Sequence, residues 1–227
     1  MSDNILAINK SEQYRTVDEL FEHSEPNSVY YMLLGVSSLI ISCGILLNQP
    51  AIVIGGMLVT PVLSPLLVIS LSLASGELRA VKRATITVLK SFGIIVLSSM
   101  VLAVLFGAEA SITTFSDSVR TSVLYFIVAA AAGVAATFGW ARKDIGSVLP
   151  GIAIAVSLVP PISIMGIGLS TLNIALVRTH FLITIFNVMG VLAGSTVVFS
   201  LLHFYRTRKQ IIEHAEDLEE KGAKAEA

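Results

Sequence analysis

The stretch PAIVIGGMLVTP at positions 50–61 recurs as PGIAIAVSLVPP at positions 150–161, with six of the twelve residues identical at an offset of 100. Both copies sit inside long uncharged apolar segments that carry prolines at their centre. A chain with this pattern contains one membrane element twice, broken at the same place. That constrains the fold more than any other feature and points to a pore or carrier.

Apolar surface on this scale has no place in a soluble core. With 54% hydrophobic residues, 14% charged residues and a mean hydropathy of +0.82, a chain of 227 residues reads as an integral membrane protein. Cys43 is the single cysteine, so a disulfide framework is excluded and the thiol reads as a small packing residue. Residues 1–28 hold eight charges and no apolar core, which argues against a cleaved secretory signal. The first spanning helix is then expected to direct insertion.

About 20 apolar residues are needed to cross the hydrocarbon. By that measure six spans emerge, at residues 29–47, 51–75, 84–107, 121–141, 147–172 and 179–204. In a six-span arrangement Lys10, Arg15, Arg79, Lys82, Arg83, Arg142, Lys143, Arg206, Arg208, Lys209, Lys221 and Lys224 fall on one side. Only Arg120 and Arg178 fall on the other. The positive-inside rule makes both termini cytoplasmic, and the expected location is the cell inner membrane.

Three spans per half is an odd number, so the two halves cross in opposite directions. Weaker echoes accompany the proline-bearing repeat. Ser28, Val29 and Tyr31 recur as Ser122, Val123 and Tyr125, and Gly93, Ser98 and Val101 recur as Gly190, Ser195 and Val198. The expected fold is therefore all-α and polytopic, with six transmembrane helices as two inverted three-helix repeats and proline-broken second and fifth helices. The expected organisation is a leader with an amphipathic helix (1–28), a first membrane repeat (29–107), an extracytoplasmic loop (108–120), a second membrane repeat (121–205) and a charged cytoplasmic tail (206–227).

Mid-span proline removes an amide and clashes with the carbonyl four residues back. Pro61 and Pro65 in the second span, and Pro160 and Pro161 in the fifth, are thus expected to interrupt their helices. Thr60 and Ser64 each precede a proline, the order of an N-cap followed by the first helical residue, so a half-helix is expected to start there. Backbone groups freed in hydrocarbon are tolerated only against protein or a wet cavity. A pair of merely kinked helices packed by small residues is the plainer alternative.

The string LLNQPAIVIGGMLVTPVLSPLLVISLSLASG, then LPGIAIAVSLVPPISIMGIGLS, then a last span bearing Asn187, resembles a prokaryotic membrane family. It is the domain of unknown function 389 family, also called the uncharacterised hydrophobic domain family. The resemblance implies a polytopic bacterial or archaeal inner-membrane protein and no particular activity. Many members of that family carry a soluble domain before the spans, where this chain shows a short leader.

Candidate site residues follow from depth and chemistry. Lys90 is the only charge well inside a span, and it either snorkels to the interface or faces a pore. Asn187, with Thr184 and His180 on the same helical face, either bonds across helices or contacts a solute. Hydroxyls of Thr60, Ser64, Ser157 and Ser163 complete the set around Pro61, Pro65, Pro160 and Pro161. No Asp or Glu lies inside a span, which disfavours a carboxylate proton relay. Two half-helix N-termini near a lysine favour a small polar or anionic solute.

Catalysis is not expected. HExxH, GxSxG and an intramembrane aspartate are all missing, and Ser157 with His180 has no spacing that favours a dyad. No cofactor, metal or nucleic acid is expected, and the partners are membrane lipids and a small solute or ion. The competing class is a membrane scaffold or lipid-binding protein. At the ends, Val17, Leu20 and Phe21 mark an amphipathic helix, which lies on the inner leaflet or on the bundle. The tail reads as a helix running into the cytosol and fraying near Gly222. Its Ile211, Ile212, His214, Ala215 and Leu218 form a weak seam that suggests a homo-oligomer.

Overall fold

The structure, a computed structural model, describes residues 8–107, 119–142 and 158–225, which are helical without strands. Helix α1 (Lys10–Ser24) starts at Asn9, whose amide donates to the Glu12 carboxylate at 3.0 Å. Helix α2 (Ser28–Leu46) is capped by Asn27, whose side chain accepts from the Tyr30 amide at 2.8 Å. It ends where Asn48 takes a left-handed conformation and the Gln49 amide bonds back to the Gly44 carbonyl. Pro50 then opens α3 (Pro50–Val59), where its missing amide costs nothing.

Helix α3 stops at Val59, and α4 (Leu63–Ser75) continues at an angle of 55°. The interruption expected at Thr60-Pro61 is therefore present. Its details differ from the sequence reading, because Thr60 is extended and closes α3, while α4 begins on Val62 without a side-chain cap. Ser64 and Pro65 occupy the second and third positions of α4, where amides have no intrahelical partner and proline fits.

Gly76 in the left-handed conformation ends α4, with the Glu77 amide bonding to the Ser72 carbonyl. The 29-residue α5 (Leu78–Phe106), α6 (Val119–Ala141), the short α7 (Val159–Ser170) and the 28-residue α8 (Ile174–Leu201) follow. The turn from α7 to α8 is built like the one from α2 to α3. Leu172 is left-handed and the Asn173 amide bonds back to Gly168.

Among the described residues, four helices (α2, α5, α6 and α8) are long and apolar enough to cross a membrane, and the bent pair α3–α4 makes a fifth candidate. Of the expected fifth span only α7 lies among the described residues. Pro160 and Pro161 fall in its first turn. Expected loop residues 108–118 and the first part of that span, including Ser157, lie outside the described residues.

Buried hydroxyls are set within an apolar core, and the exterior is apolar as well, unlike that of a soluble bundle. Ser37, Ser38, Ser42, Ser91, Ser99, Ser163 and Ser195 are all buried, while Leu89, Leu97, Val104, Leu105, Leu124 and Ile127 are exposed. Helices α2 and α5 are joined by three hydroxyl pairs, Tyr30 with Ser91 at 2.8 Å, Ser38 with Ser98 at 2.8 Å and Ser42 with Ser99 at 2.7 Å. Cys43, expected to pack, is exposed on α2. Helices α6 and α8 meet by close backbone approach instead. A Cβ on Gly190 would lie 2.6 Å from the Phe126 carbonyl oxygen, and one on Gly194 would strike the Ala130 carbonyl. This Gly190-x-x-x-Gly194 spacing is the small-residue signature of helix pairs in lipid.

One end of the bundle gathers both terminal helices. The Gln13 side chain donates to the Leu202 carbonyl at 2.9 Å, and Thr16 donates to Trp140. Ser75 reaches the Phe204 carbonyl at 3.4 Å. Beyond α8 the chain turns at His203, whose φ is +60°, through a 3-10 turn (Phe204–Thr207) into α9 (Arg208–Ala225). The tail does not extend freely as expected, because α9 folds back and packs on α1 and α5. Ile211 and Ala215, read as an oligomer seam, are buried within the chain itself. Arg208 pairs with Glu77 at 4.0 Å and Arg79 with Glu216 at 3.8 Å, so the cation-rich segments share this end.

A glycine in the α6–α8 seam and one in open space on α2 make opposite predictions. Gly194→Val is expected to destabilise the fold by about 1–3 kcal/mol through overpacking. Gly35→Ala, with open space around it, should be neutral or slightly stabilising. Thermal unfolding of the purified protein in detergent checks both, and equal shifts would contradict the packing described.

Candidate functional site

Among the described residues, four hydroxyl oxygens are buried without a hydrogen-bond partner, those of Thr60, Ser72, Ser163 and Thr196. Most helical serines and threonines here do what such residues do in lipid, donating to the carbonyl three or four residues back. Ser70, Ser75, Ser91, Ser99 and Thr184 are examples. An orphaned buried hydroxyl carries the full desolvation penalty of its polar group, about 1–3 kcal/mol. Its presence calls for a reason. Two of the four, Thr60 and Ser163, belong to the expected site.

Helix register brings the expected elements to one level. Helices α7 and α8 are antiparallel across the turn at Leu172, and the Thr184 hydroxyl lies 3.9 Å from the Met165 sulfur. Continuing that pairing by three residues sets Asn187 level with Ile162 and Ser163, in the first turns of α7. Helices α4 and α8 run parallel, with Ser75 on Phe204. Counting back at about 1.5 Å per residue sets Thr60 within about one turn of Asn187. Asn187 is 2% exposed and stands at the middle of the 28-residue α8.

The break between α3 and α4, the proline-bearing start of α7 and Asn187 thus share a level halfway across the bundle. Helices α4 and α7 each pack on both α5 and α8. Each also starts at this level and presents its positive end there, although Pro65 removes one opening amide of α4 and Pro160 and Pro161 remove two of α7. Pro65 and Pro161 are buried in the first turns of these helices, while Pro61 and Pro160 are half-buried.

The other expected residues sit as follows. Ser64 is buried beside Pro65. His180 is buried with its Nδ1 donating to the Leu176 carbonyl at 2.9 Å. Lys90 is exposed. The hydroxyl pairs of α2 and α5 put Lys90 level with the first turn of α2, where the polar leader meets the apolar span. Ser157 lies outside the described residues, so the Ser157–His180 pair is likewise outside them.

Sequence reasoning missed Ser72 and Thr196, and nothing in the sequence singled them out. Ser70 and Ser75 stand on the same helix, in similar surroundings, with their hydroxyls satisfied. The α6–α8 glycine seam was also missed, although its spacing is readable.

Apolar helices around a serine-lined interior, one of them broken at mid-depth, define a multi-pass α-helical membrane protein. The chain belongs to the family described as Domain of unknown function (DUF389), whose model matches residues 57–193. An uncharacterized protein of Methanocaldococcus jannaschii is 20% identical over 191 residues, covering 84% of this chain. The chain spans 58% of that relative's length. No solved structure matches.

Orphaned and partnered hydroxyls respond oppositely to deletion. Ser163→Ala is expected to leave stability unchanged or to raise it, whereas Ser99→Ala, which removes the α2–α5 hydroxyl pair and leaves Ser42 bonded only to the Ser38 carbonyl, should lower it by about 1 kcal/mol. Denaturation midpoints of the two variants measure this. A loss at Ser163 equal to that at Ser99 would show that its hydroxyl has a partner.

Proposed function

We propose that this protein moves a small polar or anionic solute across the membrane, through a site at the level of the α3–α4 break, the start of α7 and Asn187. The observation that carries the reading is the pair of orphaned hydroxyls, Thr60 and Ser163, on the two elements that the repeat relates. A polar atom kept unpaired in a buried position is suited to a ligand or water that comes and goes.

Several features support an inverted repeat around this site. Ser98 and Ser195, related by the offset of 97, hydrogen-bond to Ser38 on α2 and to the Gly133 carbonyl on α6. Those two acceptors lie within one residue of the offset of 94 that relates the first and fourth spans. The packing of α4 on α5 and α8 is matched by that of α7 on α8 and α5. The cation-rich end that gathers α1 and α9 is then cytoplasmic by the positive-inside rule, and the membrane is the inner one.

Two N-terminal half-helix ends favour an anion or a polar group over a cation. Solute contacts come from Thr60, Ser64, Ser163 and Asn187, with Pro61, Pro65, Pro160 and Pro161 holding the backbone open. Lys90, exposed at the level where α2 begins, stands outside the route.

Liposome flux tests the proposal. Purified protein in vesicles, probed by stopped-flow light scattering with small anions and polyols, should conduct above empty vesicles. Pro61→Ala and Pro161→Ala should abolish flux without preventing insertion, and Lys90→Gln should leave ion selectivity unchanged. Wild-type flux in both proline variants and in their double would overturn the site. No flux from intact wild-type protein would favour a scaffold or lipid-binding role.

A further inference from the structure

Helices α5 and α8 correspond residue by residue at the offset of 97. Ile86, Thr87, Gly93, Ser98, Val101 and Leu105 recur as Ile183, Thr184, Gly190, Ser195, Val198 and Leu202. Their surroundings do not recur. On α5 the stripe Ile86, Lys90, Gly93, Leu97, Val101 and Leu105 is exposed along one face. On α8 the matching stripe, Ile183, Asn187, Gly190, Gly194, Val198 and Leu202, is buried throughout. Val101 is 56% exposed and Val198 3%, although the same side chain stands at the same place in the repeat.

The cover on α8 is α6. Gly190 lies against the Phe126 carbonyl and Gly194 against the Ala130 carbonyl, while Ser195 donates to the Gly133 carbonyl at 3.1 Å. At the offset of 94 those three positions of α6 become Met32, Val36 and Leu39 of α2. All three are exposed. They stand on the side of α2 away from α5, since Ser38 and Ser42 face α5 and each residue turns the helix by about 100°. The bare stripe of α5 likewise faces away from α2, opposite Ser91 and Ser98. Both halves thus carry the same two faces, joined within the chain in one half and left open, pointing apart, in the other.

We infer that the open faces meet across copies of the chain, α5 of one copy taking α2 of the next as α8 takes α6. Depth supports the pairing. Carrying the α6–α8 contacts over by the two offsets sets Met32 beside Gly93 and Val36 beside Leu97. Copies related by an axis normal to the membrane keep every residue at its depth, so the two faces must already be level within one chain. They are level, because α2 and α5 run parallel, and the separation of 61 positions between Tyr30 and Ser91 is also that between Met32 and Gly93. Since the faces point apart, the contact is head-to-tail, the geometry of a ring rather than of a two-fold pair. Gly93, with open space about it in the chain, is where the backbone of the next copy comes close. The inference rests on the repeat and not on transport, so a failed flux assay leaves it standing.

The experiment uses the full chain in membranes, in a Cys43→Ser background that leaves no native thiol. Val36→Cys and Leu97→Cys are combined and oxidised with copper phenanthroline. The two positions lie on opposite sides of the α2–α5 pair, so a disulfide between them joins different copies. A ladder of dimers and larger species is expected on non-reducing gels, and none from either single variant. Leu89→Cys, as exposed as Leu97 but about two turns away on α5, should link to Val36→Cys several-fold less. Gly93→Leu, whose side chain meets only open space within the chain, should cut the Val36→Cys to Leu97→Cys yield several-fold and leave the helical circular dichroism signal unchanged. No ladder from the pair, which would leave both faces to lipid, overturns the inference. So do equal yields from Leu89→Cys and Leu97→Cys, a link in either single variant, or a yield that Gly93→Leu does not lower.

Discussion

Backbone that leaves the helix within an apolar layer has to find other partners for its amides and carbonyls, and the arrangement of this protein follows from that requirement. Proline meets half of it by removing amides. Pro61 has none to satisfy, and Pro65 and Pro161 stand at third positions of helices whose opening amides lack internal acceptors. The other half is met by position. The break and the start of α7 are set against two long helices, α5 and α8, rather than against the exposed apolar exterior.

Serine gives the interior its character. In water a serine-rich core would be poorly stabilising, but in lipid apolar association between helices gains little, and hydroxyl pairs and close backbone contact take over. Both means are in use here. The α2–α5 seam runs on Tyr30, Ser38 and Ser42 with their partners, while the α6–α8 seam runs on Gly133, Gly190 and Gly194. Against this background of satisfied serines, the few orphaned hydroxyls stand out as departures from a rule the chain otherwise keeps.

Much of the architecture was legible in the sequence because apolar length and proline chemistry are local. The break at Thr60-Pro61, the turn at Asn48 and the buried face of α1 follow from residues within a few positions of each other. The cap at Thr60 was misread because an extended residue before proline ends one helix as readily as it begins the next. The fate of the tail was not legible, since its reversal depends on His203 adopting a left-handed conformation, which is uncommon for any residue but glycine. Of the candidate site, the proline and hydroxyl elements could be read. Which hydroxyls lack partners depends on rotamers set by neighbouring helices, and sequence carries no record of that.

The unlike seams have a mechanical consequence. Glycines that bring two backbones into contact allow one register, because any slide drives Cβ atoms into carbonyls. The hydroxyl pairs of α2 and α5 do not fix register in that way, because Ser38, Ser42, Ser98 and Ser99 each also bond to a carbonyl of their own helix. The α6–α8 pair is therefore fixed in register by its own backbones, whereas α2 and α5 are fixed by what packs around them, with Gly44 of α2 against Val53 of α3 and Gly166 of α7 against the Val96 carbonyl of α5.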